Sequence, residues 1–104
     1  MDNNVATIAW ALVKVKKTTK SVSHKILSEC YDPQTDRVSW RLSSDLTGAT
    51  EENGKYLVDT KMGCVYVCRK GAEDVTRMIR DTLKSLEESF DIEVVPMKDW
   101  IATK

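Results

Sequence analysis

Residues 64–95 read CVYVCRKGAEDVTRMIRDTLKSLEESFDIEVV, and this stretch decides the fold class. The alternation in residues 64–68 predicts a strand, and residues 92–95 predict a second one. Between them, apolar residues recur at steps of three and four, which places them on one stripe of a helix. They are Val75, Ile79, Leu83, Leu86 and Phe90, with Ala72 and Met78 beside them. Glu73 and Asp74 precede this stripe, where a helix dipole favours acids, so we expect one long helix over about residues 72–89.

The bulk composition is typical of a small globular protein. The chain has 104 residues, of which 41% are hydrophobic and 31% charged, and its formal net charge is zero. A chain of this length supports one hydrophobic core. We therefore expect a single α+β domain over residues 1–104, a mostly antiparallel sheet of five or six strands with the long helix packed on one face.

Residues 5–16 admit two interpretations. A helix capped by Asn4 would place Val5, Ile8 and Leu12 on one face. The β-branched content and the alternation of residues 13–16 favour a strand instead. Because both faces are apolar up to residue 13, we expect that strand to lie in the middle of the sheet.

Residues 22–31 and 37–43 predict a hairpin around Asp32 and Pro33, which start a turn. One register sets apolar residues opposite one another. It pairs Cys30 with Val38, Ser28 with Trp40 and Ile26 with Leu42.

The second half of the chain continues with further turns. Residues 43–54 are poor in apolar side chains and contain Asn53-Gly54, so we expect the longest loop there. Residues 55–59 and 64–69 predict a second hairpin. Pro96 cannot donate to a ladder, so the strand over residues 92–95 is expected to end there or to lie at an edge.

The cysteine count and the N-terminus indicate a cytoplasmic protein without membrane attachment. Three cysteines cannot pair completely, which is unusual for a small secreted domain. An acid precedes the apolar run of residues 5–13 and lysines follow it, the reverse of a signal peptide. Nine residues are also far short of the ~20 needed to span a bilayer.

No segment carries a catalytic, cofactor or metal signature. The zinc-ligand types present are His24, Cys30, Cys64 and Cys68. Residues 64 and 68 are separated along a strand by ~13 Å, too far to share one ion. His24 has no evident nucleophile or acid partner. We expect no catalytic residue, no cofactor and no metal, and hence no enzyme.

Basic residues form the one charge feature that suggests a partner. Five lysines and no acid lie between residues 13 and 28. With two arginines and the aromatic rings of Tyr31 and Trp40, they suggest a surface for nucleic acid or nucleotides. These candidates are Lys14, Lys16, Lys17, Lys20, Lys25, Arg37 and Arg41.

The leading functional hypothesis is a protein-interaction module, and the basic surface is the alternative. Small regulators, adaptors and inhibitors, phage and viral accessory proteins among them, fit a chain without catalytic or cofactor motifs. Trp10 and Trp40 are expected in the core. Trp100 is expected to be partly exposed and to contact a partner, since exposed tryptophan is enriched at interfaces. The strand over residues 92–95 offers an edge for a partner's sheet or for a homodimer.

Overall fold

Eight strands and two α-helices make up the part of the chain that this computed structural model describes, residues 4–16 and 21–103. The strands are β1 (Asn4–Ala6), β2 (Ala9–Lys16), β3 (Val22–Asp32), β4 (Arg37–Leu42), β5 (Leu46–Glu52), β6 (Lys55–Thr60), β7 (Val65–Arg69) and β8 (Asp91–Val95). The helices are α1 (Arg77–Glu87) and α2 (Met97–Ala102), and a 3₁₀ turn covers Lys70–Ala72.

The strands form two four-stranded sheets rather than one sheet of five or six strands. The first sheet has the order β1-β7-β6-β5, and the second has the order β4-β3-β2-β8. Neighbours are antiparallel except for β1 and β7, which are parallel. The α+β class and the mostly antiparallel pairing are confirmed, while the expected single sheet is wrong because the chain passes from the second sheet to the first after β4.

One hydrophobic cluster lies between the two sheets and is closed by α2. The second sheet contributes Trp10, Leu12 and Ile26, and α2 contributes Met97 and Trp100. The first sheet contributes Tyr56, Val58, Tyr66 and Cys68. The C-terminal segment therefore packs on the core.

A second cluster lies on the opposite face of the second sheet, under α1. It contains Ala9, Ala11, Val13, Val15, Leu27, Ile79, Leu83 and Ile92. The residues of β2 therefore alternate between the two clusters, which explains why its sequence is apolar on both faces. The interpretation of residues 5–16 as strand rather than helix is confirmed, and β2 has the expected central position. The segment is not one strand, however, because residues 4–6 form β1 at an edge of the first sheet.

The helix is shorter than its apolar stripe predicts, because it begins at Arg77 rather than near residue 72. The hydroxyl of Thr76 accepts a hydrogen bond from the Ile79 N–H and caps the first turn. Glu73 and Asp74, which precede the helix, form hydrogen bonds with other elements. The Asp74 N–H donates to the Trp10 carbonyl (2.9 Å), and the Glu73 carboxylate accepts from the Met97 N–H at the start of α2 (2.8 Å).

Residues 46–52 form a strand, so the expectation of a long loop over residues 43–54 is wrong. β5 pairs with β6 through a tight turn at Asn53 and Gly54, which have φ angles of 50° and 77°. Positive φ at both central residues is typical of the turn that joins two antiparallel strands. The hairpin predicted for residues 55–69 is confirmed as β6 and β7.

The last strand behaves as the sequence predicts. β8 ends at Val95, immediately before Pro96, and lies at an edge of the second sheet. Neither helix in residues 4–16 and 21–103 is long and apolar enough to cross a membrane.

Candidate interaction surface

The pairing of β3 with β4 differs by one residue from the predicted register. Val38 lies opposite Tyr31, Trp40 opposite Glu29 and Leu42 opposite Leu27. The turn places four residues between the closing pair Asp32 and Arg37, and Asp36 adopts a left-handed φ of 54°. Since a slip of one residue exchanges the two faces of a strand, the apolar row of β4 faces the side of the sheet that carries α1.

An exposed apolar patch results at the outer corner of the second sheet. Leu42 reaches the cluster under α1 and is partly buried there. Farther along the hairpin, beyond the helix, Tyr31 is 51% exposed, Val38 44% and Trp40 49%. We call these three residues the hairpin patch. Single exposed apolar residues are ordinary, whereas neighbouring ones on one face indicate an interaction site.

The residues whose side chains form the apolar row of β4 also carry the backbone groups that point away from β3, at the open edge of the sheet. The Ser43 N–H donates to the Ile26 carbonyl (2.9 Å), and the Arg41 carbonyl accepts from the Ser28 hydroxyl (3.3 Å). In an antiparallel pair every second residue bonds the neighbouring strand, so Arg37, Ser39 and Arg41 point their amide groups at β3. Val38, Trp40 and Leu42 point theirs outward. Within the described residues no strand lies beyond β4.

The tip of the hairpin is fixed by side-chain hydrogen bonds. The Asp32 carboxylate accepts from the Gln34 N–H (2.9 Å), which is a typical Asx turn. The Tyr31 hydroxyl donates to the Asp36 carboxylate across the turn. That hydrogen bond raises the pKa of Tyr31, because it binds the protonated phenol. The patch therefore lies beside a turn that two side-chain hydrogen bonds close.

The other face of β4 packs toward the first sheet. The Arg41 guanidinium lies over the ring of Tyr66, 5.9 Å from its centroid, a cation–π arrangement. Burial raises the pKa of Tyr66, and the charge of Arg41 partly opposes this effect. β4 is thus anchored on one face, and its open edge and the hairpin patch remain accessible.

The basic residues predicted as one surface do not come together. Lys14 and Lys16 share one face of β2, and Lys14 is 3.8 Å from Glu93. Lys25 lies opposite Val13 and therefore faces the other side, where its ammonium is 3.1 Å from Asp45 and donates to the Ser43 carbonyl. Lys17 and Lys20 lie outside the described residues.

Arg37 is distant from the lysines of β2. Lys16 is opposite Val22 at one end of β3, and Arg37 is opposite Asp32 at the other. Ten residues of extended chain separate these ends by roughly 33 Å. Arg41 is engaged by Tyr66, as described above. The described candidates thus contribute separate charges to two faces and two ends of the sheet.

Trp100 is buried, so the expectation that it is the exposed tryptophan is wrong. It is 6% exposed, and its ring lies 5.6 Å from that of His24. Pro96 precedes α2, and the turn of this helix directs Trp100 inward between the sheets. The expectation that Trp40 lies in the core is wrong as well, because Trp40 is about half exposed. The alternation of Trp40 with Val38 and Leu42 indicates that the three residues share one face of a strand. It does not indicate that α1 covers only part of that face.

A cavity of about 550 Å³ lies beside His24 and Trp100 and gathers titratable groups. Lys14, Glu93 and Asp99 also line it. The Lys14–Glu93 ion pair occupies part of this lining, and the Thr103 hydroxyl on the rim donates to the Trp100 carbonyl (2.7 Å). The ion pair joins β2 to β8, and the ring contact of His24 with Trp100 joins β3 to α2, so these groups stabilise the packing of the elements around the cavity.

The cysteines lie mainly between the sheets. Cys68 is fully buried, and burial raises the pKa of its thiol to about 12. Cys30 and Cys64 are half-buried, and the three thiols are unbridged. Within the described residues no three His, Cys, Asp or Glu side chains are grouped as metal ligands.

Family models, curated proteins and solved structures yielded no match for this chain. The hairpin patch and the open edge of β4 together form the candidate interaction surface.

Proposed function

We propose that this protein is a small non-enzymatic interaction module, of the regulator, adaptor or inhibitor type, that binds an extended segment of another protein along β4. The observation that carries the proposal is the combination of an open strand edge with an apolar patch on the same strand. Outward amide groups supply main-chain hydrogen bonds, and side-chain contacts at alternate positions supply specificity. Trp40 lies near the middle of β4, where a binding hot spot is expected.

The chemistry of the segment follows from the two faces of β4. On the face that carries α1, Val38 and Trp40 favour apolar residues at every second position of the bound strand. On the opposite face, Arg37 and Arg41 favour polar or acidic residues at the intervening positions. We therefore expect an extended segment in which apolar and polar or acidic residues alternate.

Selection from a displayed library of random twelve-residue peptides tests this function. Enriched peptides should show the expected alternation and should bind the purified protein in a titration followed by fluorescence anisotropy. Trp40→Lys should weaken their binding about 30-fold or more, the loss typical of a removed hot spot. Val94→Lys is a matched control, because Val94 is 43% exposed on β8 at the other edge of the same sheet.

The outcome is decided by the comparison of the two variants. Peptides that bind wild type and Val94→Lys but not Trp40→Lys support the β4 surface. Peptides that bind all three proteins equally, or that lose binding only in Val94→Lys, contradict it. The described lysines and arginines lie on two faces and at two ends of the sheet, so they give no support to the nucleic-acid alternative.

A further inference from the structure

The identity of a partner strand can be sought in the chain itself. The formal net charge of the protein is zero, so two copies do not repel each other at long range. From the geometry of β4 we infer that a second copy of this chain binds along it, so that the two β4 strands pair antiparallel about a two-fold axis centred on Trp40. This inference rests on the proposed function, because it uses the same edge and the same patch.

Symmetry restricts the registers that such a pair can adopt. A two-fold axis normal to the sheet reverses the strand and retains its faces, so one residue must lie opposite its own copy. Within β4, a centre at Ser39 would set Arg37 opposite the partner's Arg41. Like charges directly opposite each other destabilise a strand pair. A centre at Arg41 would set two guanidinium groups opposite each other.

A centre at Trp40 avoids these conflicts. Trp40 lies opposite the partner's Trp40, Val38 opposite the partner's Leu42, and Arg41 opposite the partner's Ser39. Apolar residues then meet on the face that carries α1, and no arginine faces an arginine. Paired tryptophans also gain an aromatic contact beyond the area that they bury.

The same centre also satisfies the open backbone. Val38, Trp40 and Leu42 carry the outward amide groups, and in this register each lies opposite an outward residue of the partner. The N–H and carbonyl of each pair can therefore bond in both directions, as in an ordinary antiparallel ladder. The second sheets of the two copies then join into one continuous eight-stranded sheet. The open β4 edge of each copy is then covered by the other copy, which is one way in which edge strands are protected.

The other edge of the sheet is less suited to self-pairing. β8 has five residues, two of them the acids Asp91 and Glu93, and it is followed directly by Pro96. Charged residues and proline are common protections of an edge strand. β4 also carries two charges, Arg37 and Arg41, but their amide groups bond β3, the strand contains no proline, and its outward row of Val38, Trp40 and Leu42 is apolar. A second copy is thus expected at β4 and not at β8.

Sedimentation velocity over a concentration series tests the inference. A six-residue strand pair is a small interface, so we expect a reversible monomer–dimer equilibrium with a dissociation constant on the order of 100 µM. Trp40→Lys should raise that constant about 30-fold or more. Val94→Lys should leave it unchanged. Far-UV circular dichroism and thermal unfolding of each variant establish that the comparison is made between folded proteins.

A variant that removes one backbone donor distinguishes pairing of the two β4 strands from non-specific hydrophobic association through the hairpin patch. Val38→Pro retains Trp40 but removes an outward N–H that the partner's Leu42 carbonyl would accept, and edge strands tolerate proline there. It should raise the dissociation constant about tenfold. Amide exchange of the wild type should also slow at Val38, Trp40 and Leu42 as concentration rises.

Two results would overturn the inference. One is a wild-type protein that stays monomeric up to 1 mM, and the other is a dimer that survives Trp40→Lys or dissociates in Val94→Lys. If the protein is monomeric but selected peptides still bind wild type and not Trp40→Lys, self-pairing fails and the proposed function stands. If neither peptides nor a second copy depend on Trp40, both fail.

Discussion

Two of the three tryptophans are buried in the cluster between the sheets, and the third is open to solvent. Trp10 is fully buried and donates its indole N–H to the Arg69 carbonyl (2.7 Å). Trp100 packs between α2 and the sheets, whereas Trp40 is about half exposed. A buried tryptophan with a bonded indole stabilises the fold, and an exposed one on an open strand is available for binding. The same residue type thus serves two purposes in this chain.

Quenching of fluorescence distinguishes these environments. At low protein concentration, iodide should quench one of the three tryptophans readily, because the ion reaches exposed rings and not buried ones. Trp40→Phe should remove almost all of the readily quenched emission and leave the thermal stability nearly unchanged. If the same accessible fraction persists in Trp40→Phe, the ring of Trp40 is not the exposed one.

Cys68 should be the least reactive thiol of the native protein. Burial raises its pKa to about 12, and the thiolate is the form that reacts with disulfide reagents. At pH 8 we expect Ellman's reagent to modify Cys30 and Cys64 well before Cys68, which should react only as the protein unfolds. Mass spectrometry of partly modified protein identifies the order. Early labelling of Cys68 would contradict the buried position.

The raised pKa of Cys68 also predicts how stability changes in alkali. The ordinary pKa of the thiol is 9.0, and the folded protein favours the protonated form. Stability from this group is therefore fully present below pH 9 and is lost as the pH rises toward 12. The decline measured by urea unfolding should be smaller in Cys68→Ala, in which the other titrating groups remain. Parallel curves for the two proteins would refute this assignment.

At the scale of elements, Glu73 connects the segment before α1 to the start of α2. Its carboxylate accepts the Met97 N–H, which is one of the backbone donors left open at a helix start. Glu73→Ala should lower the free energy of unfolding by about 1 kcal/mol, the usual value of a helix cap. Glu73→Gln retains an acceptor oxygen and should lose less. Urea unfolding that shows Glu73→Ala equal to wild type would exclude this capping role.

Elements with a strong local pattern could be predicted from the sequence, and those defined by tertiary contacts could not. β2, the β6–β7 hairpin and β8 follow from alternation and turn residues. β5 escaped prediction because three of its last residues are exposed and polar, although the Asn53-Gly54 turn beside β6 was a usable signal. The start of α1 was misplaced because Glu73 and Asp74 bond other elements, which their spacing does not reveal.

The candidate site was only partly accessible to sequence reasoning for the same reason. Its residues were recognised as a hairpin, but a turn with one more residue than the predicted register allows exchanged the faces of β4. The exposure of Trp40 depends on where α1 stops along the sheet. Neither the turn conformation of Asp36 nor the reach of a helix across a sheet is encoded in an apolar pattern.

At the scale of the whole molecule, β2 couples two clusters that would otherwise be separate. Leu12 belongs to the cluster between the sheets, and its neighbours Ala11 and Val13 belong to the cluster under α1. Loss of either cluster exposes one face of the central strand. We therefore expect the described layers to unfold together in a single transition.

A substitution in one cluster should consequently be detected in the other. Ile79→Ala opens a cavity under α1 and should lower the free energy of unfolding by about 2–5 kcal/mol. Trp10 and Trp100 lie in the other cluster, yet the urea midpoint of their fluorescence should fall together with that of the helical circular dichroism signal. Lys84→Ala, on the exposed side of the same helix, should leave the free energy of unfolding from both signals within about 0.5 kcal/mol of wild type. If Ile79→Ala shifted the helical signal alone, α1 would unfold independently, and the coupling through β2 would be wrong.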